Sequence, residues 1–139
     1  MLERDKFDTS SMPKFHIREY IEIVNKLKKT GYTFKFIKDM SDDDSLCVYL
    51  RHDIDVHCVF AEGMAQEESE HGFFSTYYVL INSHYNIFYD ENIKILKNIL
   101  SLGHDIGLHY DIVYYPKNYF MAKERLDFEA SILKRLLGV

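Results

Sequence analysis

Residues 50–58 read LRHDIDVHC, and residues 103–111 read GHDIGLHYD. The first stretch ends an apolar run on two aspartates spaced by one residue, with histidines on either side. In an extended chain, residues i and i+2 share a face, so Arg51, Asp53 and Asp55 line up together. Two carboxylates about 6–7 Å apart by strand rise repel each other in a cavity, unless a metal ion or a shared proton offsets the repulsion. A hard carboxylate together with an imidazole makes a reasonable set of ligands for a zinc-like divalent ion. The remaining carboxylate is then free to take a proton from water. That combination is the chemistry of metal-assisted hydrolysis.

Each of these residues also has a plainer use. HDID by itself is equally a structural ion pair with Arg51. A single His109 on an apolar strand is often a core histidine with satisfied hydrogen bonds. His104 lies five residues before His109, so the two face opposite sides of a strand, and a hydrogen bond to a nearby loop suits His104. His52 points away from Asp53 and suits packing behind the site. His16, His57, His71 and His84 read as loop or surface residues. Tyr110, Tyr114 and Tyr115 could stack on a sugar or belong to a tyrosine-rich core.

The elements that must position these residues follow from the apolar spacing. Residues 1–15, with Ser-Ser-Met-Pro as a breaker, form a loose lead-in to a domain over residues 16–139. Ile17, Tyr20, Ile21, Val24 and Leu27 mark a helix over 17–29, with Gly31 past its end. YTFKFI (32–37) alternates like a strand, and KDMSDDDS (38–45) is an exposed acidic loop without a calcium-loop pattern. LCVYL (46–50) begins a strand that runs to residue 55. Residues 58–71 form a helix with Val59, Phe60, Met64 and Ala65 on one side and Glu62, Glu67, Glu68 and Glu70 largely outward. FFSTYYVLI (73–81) is strongly β-prone. A helix over 90–102 turns Ile93, Leu96, Ile99 and Leu100 inward and ends at Gly103. HDIGLH (104–109) is a further strand. A long helix over 119–137 carries Leu126, Phe128, Ile132, Leu133, Leu136 and Leu137. Strands alternating with helices of this length predict an α/β domain, mostly parallel strands with flanking helices. Ligands in such folds gather at the C-terminal ends of the strands. Both charged motifs lie there, so Asp53, Asp55 and His109 are expected at one mouth.

The 139 residues suffice for one core, and 47% hydrophobic content makes the chain globular rather than disordered. A net charge of −5 argues against nucleic acid or an anionic membrane surface as the main partner. No apolar run is long enough to span a bilayer, and MLERDKFDTSSMPKF has no signal-peptide h-region. Two cysteines, Cys47 and Cys58, suggest a reduced, cytoplasmic chain without a disulfide framework.

Taken in order, RHDID, the 61–88 stretch AEGMAQEESEHGFFSTYYVLINSHYNIF, and LGHDIGLHYD resemble the polysaccharide deacetylase family, also called NodB-homology or carbohydrate esterase 4. The resemblance covers residues 17–139. It is nearest to the subgroup linked to bacterial surface-polysaccharide and O-antigen biosynthesis. It implies the N-terminal half of a distorted (β/α) barrel, a divalent metal that is usually zinc, and hydrolysis of an N- or O-acetyl group on a sugar or polysaccharide precursor. Carried over by position, Asp53 matches the catalytic base, Asp55 the ligating aspartate and His109 the first ligating histidine. Arg51 would orient Asp53. The family's second ligating histidine falls at Val113, which leaves Asp111 or His104 as substitute ligands. The family's later segments have no counterpart before ILKRLLGV, so an incomplete barrel with an open sheet edge is expected, inviting self-association. Competing expectations are a catalytically inactive glycan- or partner-binding relative and a metallohydrolase acting on a nucleobase or amide.

Overall fold

The computed structural model describes residues 16–138; the expected loose lead-in over 1–15 lies outside the described residues. The chain opens with helix α1 (Ile17–Lys29), whose i, i+4, i+7 spacing turns Ile21 and Val24 inward. Lys26, Lys28 and Lys29 sit in its last turn, where cations complement the helix dipole. Gly31 follows at φ +91°, the left-handed backbone that stops the helix. Then come β1 (Thr33–Phe34), a single 3-10 turn at Ile37–Asp39, β2 (Cys47–Val48) and β3 (Arg51–Ile54). Helix α2 (Cys58–Glu70), β4 (Thr76–Leu80), α3 (Asp90–Ser101), β5 (Asp105–His109), a second 3-10 turn at Ile112–Tyr114 and α4 (Tyr119–Leu137) complete the order.

All strand pairs are parallel. β1 pairs with β2 in a two-stranded sheet, and a second sheet has the order β3-β4-β5. The architecture is therefore mixed α/β with parallel strands in two small sheets, and no closed barrel forms among the described residues. The strand expected over 46–55 is divided. Residues 47–48 pair with β1, and the chain changes partner at Tyr49–Leu50, where the Leu50 carbonyl accepts from Thr76 N–H at 3.0 Å. The expected 32–37 strand shrinks to two residues because Ile37 already begins a 3-10 turn.

The core sits on one face of the β3-β4-β5 sheet. Tyr77 and Val79 of the central strand point into it and meet Cys58 and Ala65 of α2, Leu96 and Ile99 of α3, and Leu133 and Leu137 of α4. A smaller cluster of Ile21, Val24 and Phe73 packs α1 near the two-stranded sheet, with Phe34 and Leu50 beside it. The inward stripe of α2 runs through Cys58, Ala61, Ala65 and Glu68, spaced three and four residues apart. Val59 and Phe60, expected inward, are one and two positions off that stripe and stand exposed at 51% and 79%. Glu68, expected outward, is fully buried. On α4 the stripe is Glu129, Leu133 and Leu137, and Phe128 faces out. Leu96 lies at the centre of the core with no exposed surface. Leu96→Ala is expected to cost about 2–5 kcal/mol in urea-induced unfolding, from lost transfer energy plus the residual cavity.

Candidate active site

The other face of the β3-β4-β5 sheet carries the charged residues. The register places Arg51, Thr76 and Asp105 on one rung, Asp53, Tyr78 and Gly107 on the next, and Leu80 opposite His109 beyond them. Rungs two residues apart share a face, so Arg51, Asp53, Tyr78 and His109 all belong to this side, and Asp55 follows one residue after β3 ends. The side chains converge. His109 Nε2 stands 3.6 Å from Asp53 Oδ2 and 3.5 Å from Asp55 Oδ1. Arg51 Nε donates to Asp53 Oδ1 at 2.8 Å, and its Nη2 donates to Oδ2 at 3.3 Å. The plainer reading of HDID, an ion pair between Arg51 and Asp53, is present, and it lies in the same cluster as Asp55 and His109. The His109 side chain is largely sheltered, and Asp55 is the most open of the three.

The ends of the strands are fastened by a residue that its sequence context did not single out. The Tyr85 hydroxyl donates to the Ile54 carbonyl at 2.8 Å and accepts from Leu80 N–H at 3.1 Å. It ties the last residue of β3 to the last residue of β4, immediately before Asp55. Ser83 Oγ donates to the Tyr85 carbonyl and holds the turn that carries it. The opposite rim, after β5, is anchored on α4. Arg125 donates to the Tyr114 carbonyl at 2.6 Å and to Glu129 at 2.9 Å, its guanidinium lies 4.8 Å over the Tyr115 ring, and the Tyr115 hydroxyl donates to Glu129. Tyr115 therefore serves the scaffold of the rim.

Between these rims is a cleft of about 990 Å3. Its lining includes Arg51, Asp55, Tyr78, His109, Tyr110, Asp111 and Tyr114, with Asn82, Ser83 and His84 from the β4–α3 turn. This size, with aromatic walls and convergent polar groups, is that of a small-molecule site. His84 reads as a surface residue in the sequence; it is exposed but stands on the cleft wall. Asp111 lines the cleft too, with its Oδ1 accepting from Val113 N–H at 2.9 Å as the cap of the 3-10 turn. Val113 itself is 79% exposed.

His104 and His52 lie behind the sheet. His104 Nε2 bonds the Ala65 carbonyl at 2.8 Å, and Nδ1 accepts from Ser75 N–H at 3.1 Å, so both ring nitrogens are engaged away from the mouth. Burial lowers the His104 pKa below the ordinary histidine value, which keeps the ring neutral as that pattern requires. His52 bonds Glu68 Oε1 at 2.8 Å and packs on the Tyr77 ring. Ser75 and Tyr77 donate to Glu68 Oε2 at 2.6 and 2.7 Å, and Tyr20 donates to Oε1.

For a divalent ion, the donor set can be tested directly. Two ligands of a tetrahedral zinc with bonds near 2.1 Å stand about 3.4 Å apart, and the Asp55–His109 separation of 3.5 Å matches. Asp53 Oδ2 stands at a similar 3.6 Å from His109 Nε2, but both Asp53 oxygens already accept from Arg51. Among the described residues, no three His, Cys, Asp or Glu side chains form a cage for an ion. Asp55 and His109 thus fit a metal as a pair that leaves its other positions open. No family model, curated protein or solved structure matches this chain.

Proposed function

We propose that this chain is a metal-dependent deacetylase domain that removes an acetyl group from an N- or O-acetylated sugar or polysaccharide precursor of the bacterial surface, with a fold corresponding to the N-terminal half of a (β/α) barrel. The observation that carries this reading is the meeting of Asp53, Asp55 and His109 at one mouth, with Arg51 clamped on Asp53. Asp55 and His109 would hold the ion, zinc by the chemistry of its donors. When bound, such an ion polarises a carbonyl and lowers the pKa of water. Asp53 accepts a proton from the attacking water, and Arg51 keeps that carboxylate aimed. Tyr110 and Tyr114 supply stacking walls for the sugar.

A cytoplasmic location and self-association belong to the same reading. No helix among the described residues is long and apolar enough to cross a membrane. β5 has only β4 as a neighbour there, which leaves a strand edge free to pair with a second copy.

The test is elemental analysis combined with acetate release from N-acetylhexosamines and their short oligomers. The purified chain is expected to carry zinc and to release acetate. Asp55→Ala and His109→Ala should each weaken zinc binding by more than about 100-fold, beyond the loss caused by an outer-sphere partner. Wild-type affinity in both variants would end the metal assignment. One observation favours a second reading, a glycan-binding module without turnover: among the described residues, no three His, Cys, Asp or Glu side chains are arranged to hold an ion. That reading gives saturable sugar binding and no acetate.

A further inference from the structure

Gly107 sits on β5 in register with Tyr78, which is in register with Asp53. A Cβ built at Gly107 would stand 2.6 Å from Tyr78 Cε1 and 2.9 Å from Cδ1. Atoms do not approach that closely, so the tyrosine ring occupies the volume that any other residue at 107 would fill. Space, rather than a left-handed φ, is what demands glycine here. The same ring carries Arg51, whose guanidinium carbon lies 4.2 Å from the ring centroid. That guanidinium is the one that holds both oxygens of Asp53.

An arginine side chain about half exposed at a surface cleft has a flexible stem, and two N–H bonds to a neighbouring carboxylate leave the pair free to swing together. A flat ring beneath the guanidinium removes that freedom, because stacking and cation–π attraction fix the plane of the fork. We propose that Gly107 and Tyr78 are positioning residues for Asp53: the glycine seats the ring, the ring seats Arg51, and Arg51 aims the carboxylate at His109. The ring matters and the Tyr78 hydroxyl does not. This inference rests on the reading of Asp53 as the proton acceptor of a deacetylase.

Two measurements test it, one of them without turnover. In wild-type protein, the ring current of Tyr78 is expected to move the Arg51 Nε–H proton resonance upfield. Tyr78→Phe keeps that shift. Tyr78→Leu abolishes it, and Gly107→Ala displaces it. With N-acetylhexosamine oligomers as substrate, Gly107→Ala is expected to lower kcat by about 10- to 100-fold, the range a misaimed catalytic group costs, while KM changes by less than about twofold. Tyr78→Leu loses turnover as well, and Tyr78→Phe recovers most of it. Should Gly107→Ala fail to fold, the Leu and Phe pair at Tyr78 carries the comparison alone. An Arg51 resonance indifferent to Tyr78→Leu, or an active wild type whose kcat survives that change, overturns the clamp. A wild type that shows the Arg51 shift but releases no acetate overturns the deacetylase reading and leaves the clamp standing.

Discussion

Asp53→Asn is expected to lower kcat for acetate release by at least about 10^2- to 10^4-fold, the usual contribution of a positioned general base. The amide keeps the volume of the carboxylate and can still accept from Arg51, so the cleft retains its shape. What is lost is the oxygen anion that takes the proton. Zinc content should remain near wild type, because Asp55 and His109, at 3.5 Å from each other, are the pair that would hold the ion. The pattern of metal retained and turnover abolished separates this residue from Asp55, whose loss should remove both. Turnover near wild type in Asp53→Asn would mean that another group accepts the proton.

The largest effect on stability is expected at Glu68. Its carboxylate is fully buried and accepts from Tyr20, Ser75 and Tyr77 while pairing with His52. One side chain on α2 thereby ties together α1, β3, β4 and the residue leading into β4. Glu68→Ala would strand several buried donors at once and is expected to cost about 3–5 kcal/mol. The pH dependence has a definite sign. Burial pushes the Glu68 carboxyl up, but the hydrogen bond and charge of His52, with hydrogen bonds from Ser75 and Tyr20, outweigh it and hold the group at about 2, below its ordinary 4.5. A carboxyl with a depressed folded-state pKa stabilises the fold fully above its unfolded pKa. That contribution disappears as pH falls from about 4.5 towards about 2. A shift of this size corresponds to roughly 3 kcal/mol. Urea unfolding at pH 6 and pH 3 should therefore show a stability loss in the wild type that is much smaller in Glu68→Gln. Equal losses in the two proteins would assign the acid sensitivity elsewhere.

Much of this organisation is legible in the residues themselves. Helix α1, the start of α2, helix α3 and helix α4 fall where the apolar spacing and the closing glycines put them, because 3.6-residue periodicity and left-handed caps are local properties. The shared mouth of Asp53, Asp55 and His109 follows from strand parity and from the rule that parallel strands end on the same side. Other features depend on contacts that no local pattern encodes. Val59 and Phe60 are apolar and draw the expected inward face of α2 away from the stripe that ends in Glu68. Glu68 is tolerable inside only because three hydroxyls and an imidazole from distant segments meet it there. The division of the 46–55 strand arises because its two halves have different partners. The seat of Tyr78 on Gly107 exists only once β4 and β5 are in register. Residue types and spacing therefore determined which side chains could do chemistry and which end of the sheet would hold them. Tertiary packing alone decided how those side chains are aimed, since aim depends on neighbours brought together from far apart in the chain.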